Sequence, residues 1–187
     1  MASGDQAGVA VVACRDYASG VKRLLTDWGI AIGVAIALIV GATLVDEWRK
    51  PKGIAPPLEL ANLAGGTTSL FDLKGQVVVV NFWGSWCGPC RSEIPEISAF
   101  AKAHPDVKVL GVAVKSGTGE RLRSDSQRLG ITYDVLEGTG LVVDNWRVSV
   151  FPTTFVIGRD GHIRASRTGT VDRDDLESMV EDAREDG

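Results

Sequence analysis

The stretch Asn81-Phe82-Trp83-Gly84-Ser85-Trp86-Cys87-Gly88-Pro89-Cys90-Arg91-Ser92-Glu93-Ile94-Pro95 follows directly on Gln76-Val77-Val78-Val79-Val80, and the junction decides how this chain folds. The β-branched apolar run from Gln76 to Trp83 reads as a central strand buried on both faces. A helix is expected from about Pro89 to Ala103, which puts the two cysteines at a strand-to-helix turn. A cysteine in the first turn of a helix feels the positive end of the macrodipole and unpaired backbone N–H groups, and both favour thiolate over thiol. Cys87 is therefore placed as a nucleophile. Cys90 lies about one helical turn inward, near enough to attack a mixed disulfide at Cys87 and release the bound partner. Pro89 occupies a first-turn position where its missing N–H costs little, and Gly88 keeps the approach to sulfur open. Trp86 is expected to cover the site beside Cys87.

A Cys-x-x-Cys pair is also half of a zinc site, which needs further ligands. There is no second cysteine pair, and His104 and His162 lie far apart in sequence with no short ligand spacing. No metal and no organic cofactor is expected; the redox group is the Cys87–Cys90 dithiol itself. Soft thiolates do bind Cu(I), which leaves a copper-binding module as the non-enzymatic alternative. Three cysteines are too few for a disulfide scaffold, and Cys14 stands alone near the N-terminus.

Outward from the junction, strands and helices alternate. Leu58 to Leu63 and Thr67 to Leu70, joined by Gly65-Gly66, read as a hairpin ahead of the central strand. Beyond it come a buried strand from Val107 to Val114, a helix from Glu120 to Leu129, a short strand from Tyr133 to Leu136 and a helical turn around Leu141 to Trp146. Thr153 to Ile157 and His162 to Arg167 pair as a hairpin across Arg159-Asp160-Gly161, and an amphipathic helix from Arg173 to Ala183 closes the chain. This order implies an α/β domain with a mixed central sheet and helices on both faces.

The first 57 residues have a different character. Trp28 to Val45 is a run of eighteen residues without a charge, which at about 1.5 Å per residue nearly crosses a hydrocarbon core of roughly 30 Å. Residues 28–45 are thus expected as a transmembrane anchor, with Trp28 and Trp48 at its ends; a cleaved signal peptide is the rival, but 27 residues ahead of the run are long for one. Arg15, Lys22 and Arg23 before the run balance Arg49, Lys50 and Lys52 after it, so charge alone does not orient it. Residues 1–27 are expected as a cytoplasmic tail, 46–57 (with Pro51, Gly53, Pro56 and Pro57) as an extended linker, and 58–187 as the folded domain. Across the 187 residues, 24 acidic side chains against 20 basic ones give a net charge of −4, which argues against a nucleic-acid partner.

WCGPC after an apolar strand, Pro95 five residues beyond the second cysteine and Phe151-Pro152-Thr153-Thr154-Phe155 some sixty residues later together resemble the thioredoxin superfamily from about Leu58 to Asp182. Within it, the N-terminal apolar run and VNFWGSWCGPCRSEIP are most similar to the membrane-anchored TlpA/ResA/CcmG group, and VLGVAVKSG with VFPTTFVIGRDGHIR is similar to the ScsD type. The resemblance implies a thioredoxin fold with an N-terminal hairpin extension and an extracytoplasmic thiol-disulfide oxidoreductase anchored in the inner membrane. It also implies protein thiol or disulfide substrates and a membrane electron donor or acceptor. It makes Pro152 a cis-proline beside the dithiol, with Phe151 facing the substrate, and Pro95 the proline within the active-site helix. One departure matters: where thioredoxins carry a buried Asp, this chain has Asn81, which cannot take a proton from Cys90. Glu93 matches an acidic residue near the active site of the ResA-like group and is expected to take that role; the alternative is a solvated carboxylate stabilised by the helix dipole. The Gly-Pro pair between the cysteines, as in reducing thioredoxins, favours a reductase acting in cytochrome c maturation or copper and redox homeostasis. A disulfide-forming oxidase or isomerase is the alternative within the same chemistry. Lys115, Asp144 and Arg147 are candidates for the rim of the substrate groove.

Overall fold

A computed structural model describes residues 32–38 and 53–185, in two units, Met1–Trp48 and Arg49–Gly187. In the first unit, residues 32–38 are helical and exposed. Among the described residues no helix is long and apolar enough to cross a membrane. Most of the expected span 28–45, the tail 1–27 with Cys14, and residues 46–52 lie outside the described residues.

The second unit is built on a six-stranded sheet. In chain order its elements are β1 (Gly53–Ile54), β2 (Glu59–Ala61), β3 (Thr67–Ser69), a 3-10 turn (Leu70–Leu73), β4 (Val77–Trp83), α1 (Gly88–Ala103), β5 (Val107–Ala113), α2 (Gly119–Arg128), β6 (Asp134–Glu137), α3 (Gly140–Asn145), β7 (Thr153–Ile157), β8 (His162–Thr168) and α4 (Arg173–Glu185). The strand order is β1-β8-β7-β4-β5-β6. β4, β5 and β6 run parallel, whereas β7 is antiparallel to both β4 and β8, so the sheet is mixed. β2 and β3 form the expected hairpin, joined to β6 by a bridge between Asn62 and Leu136.

The N-terminal boundary differs from expectation. Gly53 and Ile54, assigned above to the linker 46–57, pair with Ile163 and His162 of β8, and the Ala55 N–H donates to Gly161 O at 2.9 Å. β8 would otherwise present an open edge, and the incoming chain satisfies part of it. Pro56 and Pro57 have no N–H to give, which ends the pairing after two residues.

β4 is buried along its whole length, as its valines require. Its alternate residues serve opposite faces. Val78, Val80 and Phe82 pack with Leu110, Val112, Leu136, Val142, Trp146 and Phe155, where the rings of Phe82, Trp146 and Phe155 lie 5.1–5.9 Å apart. Val77 and Val79 pack with Ile97 and Phe100 of α1 and Leu176 and Val180 of α4. Asn81 and Trp83 continue this second face beneath the start of α1, so the end of β4 carries a polar group into a buried layer.

Candidate active site

Cys87 is the N-cap of α1: its φ of −88° and ψ of 113° are extended, and its sulfur accepts from the Cys90 N–H at 3.2 Å. Gly88 and Pro89 follow as the first helical residues, where proline needs no donor. The helix runs on through Pro95 to Ala103. Cys87 and Cys90 are joined, with S–S 2.10 Å. The two cysteines are not equivalent: Cys87 caps the helix and is 5% exposed, and Cys90, inside it, is not exposed at all.

The turn before Cys87 is tied to the loop after β5. Ser116, buried, accepts from the Ser85 N–H at 2.9 Å and donates to Val114 O at 3.0 Å, and Trp86 Nε1 donates to the same carbonyl at 2.9 Å. Trp86 is nevertheless half exposed, with its ring edge-on to Phe151 at 5.6 Å. Phe151 packs against the cluster that holds both cysteines, and the Phe151–Pro152 peptide is cis. A groove of about 530 Å³ opens here, lined mainly by Trp86, Val114, Lys115, Val143, Asp144 and Phe151. Lys115 and Asp144 are among the residues that line this groove, and Arg147 is not.

Glu93 is not a solvated carboxylate. It is 2% exposed, on the face of α1 turned to the sheet. Asn81 Nδ2 donates to its Oε1 at 2.8 Å and to Thr154 Oγ1 at 3.0 Å, and the Val171 N–H donates to its Oε2 at 3.1 Å. Burial pushes its pKa from the ordinary 4.5 to about 7, against the opposing pull of the bonds from Asn81 and Val171. Asn81 therefore stands as a donor to the buried Glu93 carboxyl. Tyr133 shares this layer: burial and then the charge of Glu93 push its phenol up. Val171, Ser116 and Tyr133 carried no signal in the sequence, and Thr154 only as part of the motif around Pro152, because their contacts join distant segments. Among the described residues no three His, Cys, Asp or Glu side chains are grouped so as to hold a metal ion. His104 instead stacks on Phe100 at 4.5 Å, and His162 lies 2.9 Å from Asp160.

Comparison with known proteins agrees with this geometry. The AhpC/TSA family profile matches residues 51–166. Thiol-disulfide oxidoreductase ResA of Bacillus subtilis (strain 168) is 35% identical over 167 residues, 86% of this chain and 91% of its own length. Thiol:disulfide interchange protein DsbE of Allochromatium vinosum is 34% identical over 159 residues, 81% of this chain and 86% of its own length. Among solved structures, a thiol:disulfide interchange protein of the thioredoxin family from Chlorobium tepidum TLS superposes with a TM-score of 0.63 at 27% identity, covering 71% of this chain and 97% of that one.

Proposed function

Because the chain belongs to the AhpC/TSA family of thioredoxin-like proteins and is a thiol-disulfide oxidoreductase, we propose that it reduces protein disulfides through Cys87 and Cys90, with Glu93 as the proton acceptor. The observation that carries this reading is the asymmetry of the sulfurs. Cys87 caps α1 next to Trp86 of the groove, while Cys90 is fully buried on α1, three residues before the buried Glu93.

In the dithiol state the Cys87 thiolate attacks one sulfur of the substrate disulfide. A Cys87–substrate bond forms, the substrate S–S bond breaks, and the other substrate sulfur leaves as a thiolate that takes a proton from water. Glu93 accepts the Cys90 proton. The Cys90 thiolate then attacks Cys87 sulfur, forming the Cys87–Cys90 disulfide seen here and expelling the second substrate thiolate. Two electrons pass from the dithiol to the substrate. Trp86, Gly88, Pro89, Phe151 and Pro152 shape the cleft in which an extended substrate lies. The N-cap hydrogen bond to Cys87 sulfur favours its thiolate.

The apolar run 28–45 supports a single inner-membrane anchor, and the likeness to the ResA and DsbE proteins supports placing the C-terminal domain in the periplasm. There the domain exchanges with cysteines of maturing cytochrome c or of copper and redox homeostasis proteins, and a membrane carrier keeps it reduced. Whole-cell labelling by an impermeant thiol reagent is expected to leave Cys14 untouched. The decisive chemical test is Cys90→Ser, which should accumulate a mixed disulfide with substrate where Cys87→Ser does not. A reduction potential near the thioredoxin value of about −270 mV supports the reductase, and one near −120 mV makes the protein an oxidant.

A further inference from the structure

The turn between β8 and α4 touches the site at two points. The Val171 N–H bonds Glu93 Oε2 at 3.1 Å, and the Gly169 N–H donates to Pro152 O at 2.9 Å. Gly169 has φ +93°, a conformation open to glycine, and so the chain doubles back between these two contacts. What keeps the turn in place lies just beyond it. The Asp175 N–H donates to Asp172 Oδ1 at 2.8 Å and the Asp172 N–H to Asp175 Oδ2 at 3.2 Å, a reciprocal bracket at the start of α4. Arg167 of β8 closes it, its guanidinium 2.5 Å from Asp175 Oδ1. A cleft of about 300 Å³ between α1 and this turn is rimmed by Glu93, Glu96, Arg167, Thr170, Asp172 and Asp175.

We propose that Arg167, Asp172 and Asp175 are positioning residues for the exchange reaction, which hold the Val171 N–H on the Glu93 carboxylate and so set how readily it takes the Cys90 proton. This rests on the reading of Glu93 as proton acceptor. A carboxylate that accepts a backbone N–H is stabilised in its charged form. Loosening the turn withdraws that donor, leaves the buried anion with Asn81 alone, and moves the ionisation of Glu93 to higher pH.

The sign separates positioning from simple charge. Around Glu93 stand Asn81 of β4, itself bonded to Thr154 of β7, Tyr133 ahead of β6, Glu96 on its own helix, Arg167 of β8, Asp172 of the turn and Asp175 of α4. Asp175→Ala removes a negative charge and frees Arg167, so charge alone would ease ionisation of Glu93 and shift the rate profile to lower pH. Loss of the Val171 contact shifts it the other way.

The experiment is the pH dependence of disulfide exchange, with a 13C NMR titration of the Glu93 carboxyl alongside, for the wild type, Asp175→Ala and Asp175→Asn. The acid limb of Asp175→Ala is expected to move alkaline by about half a pH unit, a roughly threefold loss of rate below its midpoint. Asp175→Asn retains an acceptor for the Asp172 N–H and is expected to return toward the wild type. An acid shift or no shift in Asp175→Ala overturns the proposal. If that variant does not fold, Asp172→Ala, which also removes a negative charge and half of the bracket, carries the same sign. Glu93→Gln in the same assay keeps the two claims apart. If the limb persists without the carboxylate, the reading of Glu93 fails; if it disappears while Asp175→Ala leaves the profile in place, only the bracket fails.

Discussion

Replacing Glu93 by Gln should flatten the pH dependence of stability, and the size of the effect follows from the burial of one carboxyl. Glu93 titrates at about 7 in the fold against 4.5 for an ordinary glutamate. Between those values the native state keeps a proton that the unfolded chain has released, so stability falls as pH rises; the loss begins near the lower value and is complete above the higher one. At about 1.36 kcal/mol per pH unit the whole effect is about 3.4 kcal/mol, of which about 2.5 falls between pH 5 and pH 8.5. The depressed carboxylates Asp106, Asp160 and Glu177 change protonation below this window and leave it clear. Gln keeps the shape of Glu93 but offers only one acceptor, whereas Asn81 Nδ2 and the Val171 N–H both donate to the carboxylate. Glu93→Gln therefore costs about 1–3 kcal/mol on the acid side of this window, the gap narrows as pH rises, and the test lies in the slope. Urea unfolding of the oxidised protein at a series of pH values is expected to show the wild type losing stability as pH rises while the variant does not. Parallel curves for the two proteins would refute the assignment of a raised pKa to this buried carboxyl.

Three further outcomes are expected. Gly111→Ala should cost about 1–3 kcal/mol in thermal or urea unfolding, because its new methyl would lie 2.7 Å from Tyr133 Cε2 and 3.0 Å from Trp83 Nε1, rings that both belong to the packed layer over the sheet. Ser116→Ala strands the Ser85 N–H and should slow exchange through misplacement of the turn that carries Cys87, with far-UV circular dichroism unchanged. Trp86→Ala removes the edge-on contact with Phe151, a pair worth about 0.5–1.5 kcal/mol. It should raise KM for a protein disulfide roughly two- to tenfold and leave the turnover of a small aromatic disulfide nearly unchanged.

Much of the framework was readable locally. The valine run of β4, the Gly-containing turn between β2 and β3, and the apolar periods of α1 and α4 are short-range signals, and apart from β1 and the 3-10 turn the observed elements begin and end within two residues of expectation. The chemistry of Cys87 and Cys90 was readable for the same reason, since both sulfurs belong to one helical turn and its N-terminal field. The cis peptide before Pro152 was expected only through the family resemblance, because most X-Pro bonds are trans.

By itself, then, the sequence determined the order of strands and helices, the place of the dithiol and the asymmetry of its two cysteines, because each depends on neighbours within a turn or a strand. Only the tertiary structure decided what Glu93 is. Its sequence neighbourhood suits a solvated helix residue as well as a buried carboxyl, and the choice between them rests on its burial and on Asn81, 12 residues before it, and Val171, 78 residues after it. The pairing of Gly53 and Ile54 with β8 was likewise decided by an open edge that exists only once the sheet has formed. A hydrogen-bond partner supplied by a distant strand or turn leaves no local pattern, and neither does the burial that raises the pKa of Glu93 against the pull of those partners.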